Sequence, residues 1–132
     1  MENTMERLVR AALEAREKAY VPYSNFPIGA ALLTKDGQIF SGCNIENASY
    51  GLTNCAERTA IFKAISAGHH ELKMMVVVAD TARPIPPCGA CRQVIFEFGE
   101  DITVVMRNLQ GDSVQYQSRE LLPAAFNRRD LD

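Results

Sequence analysis

A nine-residue run, LKMMVVVAD at 72–80, dictates the interior of this chain. From Met74 to Ala79 it is apolar without the gaps a surface helix needs, and it is rich in β-branched residues, so the run reads as a central strand buried on both faces. Such a strand requires a layer of structure above it and another below it. At 132 residues the chain has length for one such core and not for two, which makes 1–132 a single domain.

The flanking patterns supply the layers. Thr4 is placed to cap a helix running to about Tyr20, with Leu8, Ala12, Ala15 and Ala19 on one face. The loop VPYSNFP follows, its aromatics Tyr23 and Phe26 outside any helical or strand period, which suggests that part of it faces a ligand. An Asp36-Gly37 turn predicts a hairpin with strands at about 28–34 and 38–44. A second helix is expected over 54–67, with Asn54 as N-cap and Gly68 as C-cap. A third, GACRQVIFEFG, ends at Gly99; ITVVMRN is a buried strand, SVQYQ an edge strand, and SRELLPAAF a short closing helix interrupted by Pro123. The order α-β-β-α-β-α-β-β-α predicts an α/β fold with a mixed sheet, an antiparallel hairpin joined to parallel strands.

Charge narrows the partners. The formal net charge is -2 and Lys and Arg never run beyond two in a row, so no basic stripe is available to a nucleic-acid backbone. The N-terminal segment is charged throughout and lacks the apolar stretch of an export signal, which points to the cytoplasm and away from membranes. In that reducing compartment the four cysteines, Cys43, Cys55, Cys88 and Cys91, are better read as metal ligands or catalytic groups than as disulfides.

The Cys88-x-x-Cys91 spacing puts both thiols on one side of a first helical turn, where unpaired backbone N–H groups stabilise thiolates. That geometry suits a redox pair, half of a closed metal clip or half of a catalytic metal site. Cys55 opens the preceding helix in a comparable way. Should the two helix starts converge, three thiolates meet and leave one tetrahedral position open, the mark of catalytic zinc. Cys43, in a strand pattern beside Gly42, reads as a buried apolar thiol. Glu57 follows Cys55 by two residues, and CAE before PCGAC is similar to the signature of zinc deaminases, with Cys in place of the usual first His.

Four motifs in order, YSNFPIGAAL, GCNIENASYG, NCAER and PCGACRQV, carry a resemblance to the small homotetrameric zinc-dependent cytidine deaminases over about Tyr20 to Phe126. The resemblance implies a three-layer α-β-α architecture with a five-stranded sheet and helices on both faces. It implies that Cys55, Cys88 and Cys91 bind one Zn²⁺ per chain and that Glu57 moves the proton. It further implies that Asn44 and Glu46 hydrogen-bond the ribose 3′-hydroxyl, Phe26 stacks on the pyrimidine, the Ala56 N–H holds the base carbonyl, and Phe126 reaches a neighbouring subunit's site in a tetramer. The expected reaction is hydrolytic deamination of cytidine and deoxycytidine. Water attacks C4 while Glu57 carries protons to N3 and the departing amine, which requires a Glu57 pKa well above that of a solvated carboxylate.

Elementary chemistry adds Arg58. Zn²⁺ with three thiolates has a formal charge of about -1, which weakens it as a Lewis acid. Arg58, three residues after Cys55, is placed to donate to the sulfurs and offset that charge, and the resemblance implies the same. Competing readings are a deaminase of another small heterocycle, such as the blasticidin-S deaminases, a closed four-cysteine structural zinc module, a thioredoxin-like redox protein using CGAC, and a nucleic-acid deaminase. The NIE motif favours a nucleoside, the eleven residues between Cys43 and Cys55 do not make a zinc knuckle, and the redox reading leaves Cys55, Glu57, Asn44 and Glu46 unused.

Overall fold

The computed structural model describes residues 1–131 and follows the expected element order. Helix α1 (Thr4–Arg16) is followed by the hairpin β1 (Ile28–Thr34) and β2 (Ile39–Cys43), α2 (Ala56–Ser66), β3 (Leu72–Ala79), α3 (Gly89–Glu97), β4 (Thr103–Asn108), β5 (Ser113–Gln117) and a four-residue α4 (Ser118–Leu121). The strands form one five-stranded sheet in the order β2-β1-β3-β4-β5. Only β3 and β4 pair in parallel; the other neighbours are antiparallel.

The 72–80 run does become the middle strand, and its alternation explains both layers. Met75 and Val77 join Ala60, Ile61 and Ala64 of α2, Ile95 of α3 and Leu121 of α4 in one core. Val76 and Val78 point the other way and meet Leu8, Val9 and Ala12 of α1. The molecule is therefore a three-layer α-β-α sandwich, with α1 alone on one face and the cysteine-bearing helices together on the other.

A glycine seats α2 close to the sheet. A Cβ on Gly42 would lie 2.5 Å from the Ala60 backbone nitrogen and 2.9 Å from the Ala56 carbonyl oxygen, so this residue type sets the distance between β2 and the helix that carries Glu57. At the hairpin tip Gly37 has φ of 92°, the left-handed conformation expected of the Asp36-Gly37 turn.

Several element ends differ from expectation, each for a stated contact. Asn3 rather than Thr4 caps α1, its Oδ1 accepting from the Glu6 N–H at 2.8 Å. The helix stops at Arg16 rather than near Tyr20, because Tyr20 pairs with a distant segment: its N–H donates to the Asn44 carbonyl at 3.1 Å and its carbonyl accepts from the Glu46 N–H at 2.8 Å. Asn54 does not cap α2, since its backbone bridges Ile45; Cys55 takes the capping position. Gly68, at φ of 95°, sits one residue past the Ala67 cap. The closing helix ends at Leu121, two residues before Pro123. No helix among the described residues is long and apolar enough to cross a membrane.

Candidate metal centre and active site

Cys55 and Cys88 are the capping residues of α2 and α3, and Cys91 lies in the first turn of α3. Because both helices pack on the same face of the sheet, their N-termini meet there. The three sulfurs lie within 4.8 Å of one another, with Cys91 fully buried, Cys55 half-buried and Cys88 exposed. A tetrahedral ion held at about 2.3 Å by each sulfur calls for sulfur separations of about 3.8 Å, within that limit. Cys43, at the end of β2, lies outside the cluster. All four cysteines are free thiols.

The electrostatics favour a cation there. Cys55 is pulled down to about 5 by a hydrogen bond with the Cys91 thiol, aided by Arg58, whose Nη2 donates to Cys55 Sγ at 3.1 Å. Cys91 is pushed up, because its proton is held in the bond to Cys55 and its sulfur is buried. A divalent soft ion bound here would displace thiol protons. The buried Arg58 Nε has no hydrogen-bond partner among the described residues.

Glu57 is 5% exposed, a rare state for a carboxylate. Burial pushes it up to about 7, and the neighbouring Cys55 charge pushes in the same direction. A carboxyl group with that pKa both accepts and donates protons near neutrality.

The residues expected to hold a substrate occupy the loops beside this cluster. Ala56 is the first residue of α2, so its N–H has no partner within the helix. Asn44 is buried and ties the Phe26 loop down: its Nδ2 donates to the Phe26 carbonyl at 2.9 Å and its Oδ1 accepts from the Ile28 N–H at 2.9 Å. Phe26 is half-buried as a result. Glu46 Oε1 accepts from the Tyr23 and Ser24 N–H groups at 3.0 and 3.1 Å, and Oε2 accepts from Ser24 Oγ. The Ser24 hydroxyl bond holds the Glu46 carboxyl below its ordinary value. Tyr23, Ser24, Glu46, Tyr50 and Thr53 line a cavity of about 300 Å³. Phe126 lies at the far end of the chain, 59% exposed.

The family described as "Cytidine and deoxycytidylate deaminase zinc-binding region" matches residues 2–107, a span that contains the three clustered cysteines and Glu57. The chain belongs to this family. Among curated relatives of the deaminase family, the chain is 58% identical to the cytidine deaminase of Halalkalibacterium halodurans over 128 residues, covering 96% of this chain and 97% of that protein. It is 56% identical to the cytidine deaminase of Sporosarcina psychrophila, covering 96% and 94%. The crystal structure of cytidine deaminase from Burkholderia pseudomallei superposes with a TM-score of 0.91 at 55% identity, covering 94% of this chain and all of that one.

The donor set of this cluster fits the zinc named in the family's description: three soft sulfurs within reach of one ion and one neighbouring cation. Two groups went unread in the sequence. Ser24 supplies two of the hydrogen bonds that orient Glu46, and Arg92 braces the turn before Cys88. Arg92 follows Cys91 directly in PCGACRQV, and that adjacency was the available signal.

Proposed function

We propose that this chain hydrolytically deaminates cytidine and deoxycytidine to uridine and deoxyuridine with release of ammonia, acting as one catalytic domain over 1–132 in cytoplasmic pyrimidine salvage. The observation that carries this reading is the convergence of three thiols at two helix N-termini beside Glu57, whose carboxyl burial pushes up to about 7. Cys55, Cys88 and Cys91 would hold the zinc, which would supply Lewis acidity toward the attacking water near neutral pH.

The chain's own residues do the rest. Glu57 accepts a proton from the attacking water and delivers it to N3, then takes the proton of the hydroxyl newly bonded to C4 and gives it to the amine, so that the C4–N bond breaks as the C4 carbonyl forms and ammonia leaves; its burial keeps both protonation states accessible in one turnover. The Ala56 N–H, unpaired within α2, receives the base carbonyl. Phe26, held by Asn44, presents its ring to the pyrimidine. An amide has two donors and two lone pairs, so Asn44 keeps one of each for the ribose 3′-hydroxyl after anchoring the loop. The Glu46 carboxylate, already oriented by Tyr23 and Ser24, keeps a lone pair for the same hydroxyl.

The reading extends to a homotetramer in which Phe126 enters a neighbouring subunit's site. Its support is that the ring is 59% exposed, which forgoes part of the roughly 1.5–3 kcal/mol its burial would contribute. A groove of about 630 Å³ lined by Phe40, Ile45, Phe62 and Lys63 adds apolar surface for a second copy.

Turnover of cytidine, deoxycytidine and free cytosine, followed by ultraviolet absorbance, tests the proposal. Both nucleosides should react and free cytosine should fail, because it lacks the ribose that Asn44 and Glu46 hold. Equal turnover of cytosine would remove those two residues from the site.

A further inference from the structure

Helix α3 does more than carry Cys91. The two residues after that ligand both reach out to the C-terminal segment. Arg92 Nε donates to the Pro87 carbonyl at 2.8 Å, and its Nη1 donates to the Leu121 carbonyl at 2.9 Å. Gln93 Nε2 donates to the Phe126 carbonyl at 2.8 Å.

The first two acceptors lie at element ends, where a side-chain donor completes their pairing. Pro87 is buried and directly precedes the ligand Cys88, so its carbonyl direction sets how the chain enters the metal-binding turn. Leu121 is 6% exposed and ends a helix of only four residues, whose last carbonyls have no helical partner. Beyond it, Pro123 and Ala124, the latter at φ of 54°, break regular structure. The segment from 122 to 126 belongs to no ladder or helix. Arginine suits the bridge because its planar fork aims fixed donors in two directions, which a single ammonium does not.

We infer that Arg92 is a positioning residue that joins the metal-binding turn to the C-terminal strap, with Gln93 fixing the strap's far end at Phe126. The metal half of this inference concerns the zinc site alone; the Phe126 half rests on the proposed function.

The test uses the zinc-loaded protein and two mild variants, Arg92→Lys and Gln93→Ala. Three quantities are read: the rate of zinc transfer to an excess chelator, amide hydrogen exchange over 121–126, and KM and kcat for cytidine. Arg92→Lys should release zinc about tenfold faster, in the range found when groups that orient metal ligands are altered, and should expose 121–126 to exchange. Gln93→Ala should speed exchange near Phe126 and raise KM more than it lowers kcat, with zinc release unchanged.

Parental zinc release and parental exchange in Arg92→Lys would overturn the inference. So would a Gln93→Ala protein that loses zinc as fast as Arg92→Lys, because that would mark general loosening of α3. The zinc and exchange readouts need no substrate, so they stand apart from the proposed function. If Phe126→Ala leaves KM unchanged while exchange responds as expected, the assignment of Phe126 fails and the Arg92 bridge stands.

Discussion

Arg58 Nη2 lies 3.1 Å from Cys55 Sγ, one turn along α2 from it. This contact places the cation on the thiolate cluster and lowers the Cys55 thiol together with the Cys91 hydrogen bond. Replacing Arg58 with Ala should therefore slow turnover by about 10–100-fold, the usual scale for losing a group that tunes a metal ligand. In zinc-free protein the same change should raise the pH at which Cys55 becomes reactive to an alkylating agent. Unchanged turnover and reactivity would show Arg58 to be a surface arginine.

Glu57 makes a prediction with two signs. Glu57→Gln keeps the shape and should keep the zinc, while activity falls by about 10²–10⁴-fold, the typical worth of a positioned acid–base group. Stability should move the other way. The folded value of about 7 lies above the ordinary 4.5, so the proton favours the folded state; that contribution is complete below about pH 4.5 and is lost as pH rises through 7. Above that pH the parent carries a buried charge that the glutamine does not. Zinc-free Glu57→Gln should thus exceed the zinc-free parent in stability at pH 8, by on the order of 3 kcal/mol, with the gap closing toward pH 5. Thermal unfolding at both pH values checks it.

Asn44 joins stability to binding. Its amide satisfies the Phe26 carbonyl and the Ile28 N–H from a buried position, so Asn44→Ala leaves both unpaired at a cost of about 1–3 kcal/mol each before any relaxation. The freed loop carries Phe26. The expected result is a lower Tm together with a raised KM for cytidine; a normal KM in a folded variant would separate loop anchoring from substrate binding.

Gly42 should tolerate no side chain. An added Cβ meets the α2 backbone at 2.5 Å, so Gly42→Ala must push apart β2 and the helix bearing Cys55 and Glu57. Overpacking of this kind costs about 1–3 kcal/mol. Denaturant unfolding should show that loss, and the zinc content of the purified variant should fall with it.

What the sequence disclosed was local in origin. The 72–80 run, the Asp36-Gly37 turn and the Cys88-x-x-Cys91 spacing each state their role within a few residues, and the element order followed from such signals; the strand order and the meeting of Cys55 with Cys88 and Cys91 are seen only in the fold. What escaped it depends on partners far along the chain. The end of α1 is decided by Tyr20 pairing with Asn44 and Glu46, and the start of α2 by Asn54 bridging Ile45. The hold of Ser24 on Glu46 and the reach of Arg92 to Leu121 span 22 and 29 residues. No periodicity records such contacts.

The central claim is that one zinc site formed by Cys55, Cys88 and Cys91, with Glu57 beside it, deaminates cytidine. The most direct measurement takes a single purified sample, determines its metal content and follows its ultraviolet absorbance with cytidine. The account predicts about one zinc per chain and conversion to uridine. Zinc at that level with no turnover of cytidine or deoxycytidine, or turnover undiminished in protein stripped of its metal, would contradict it.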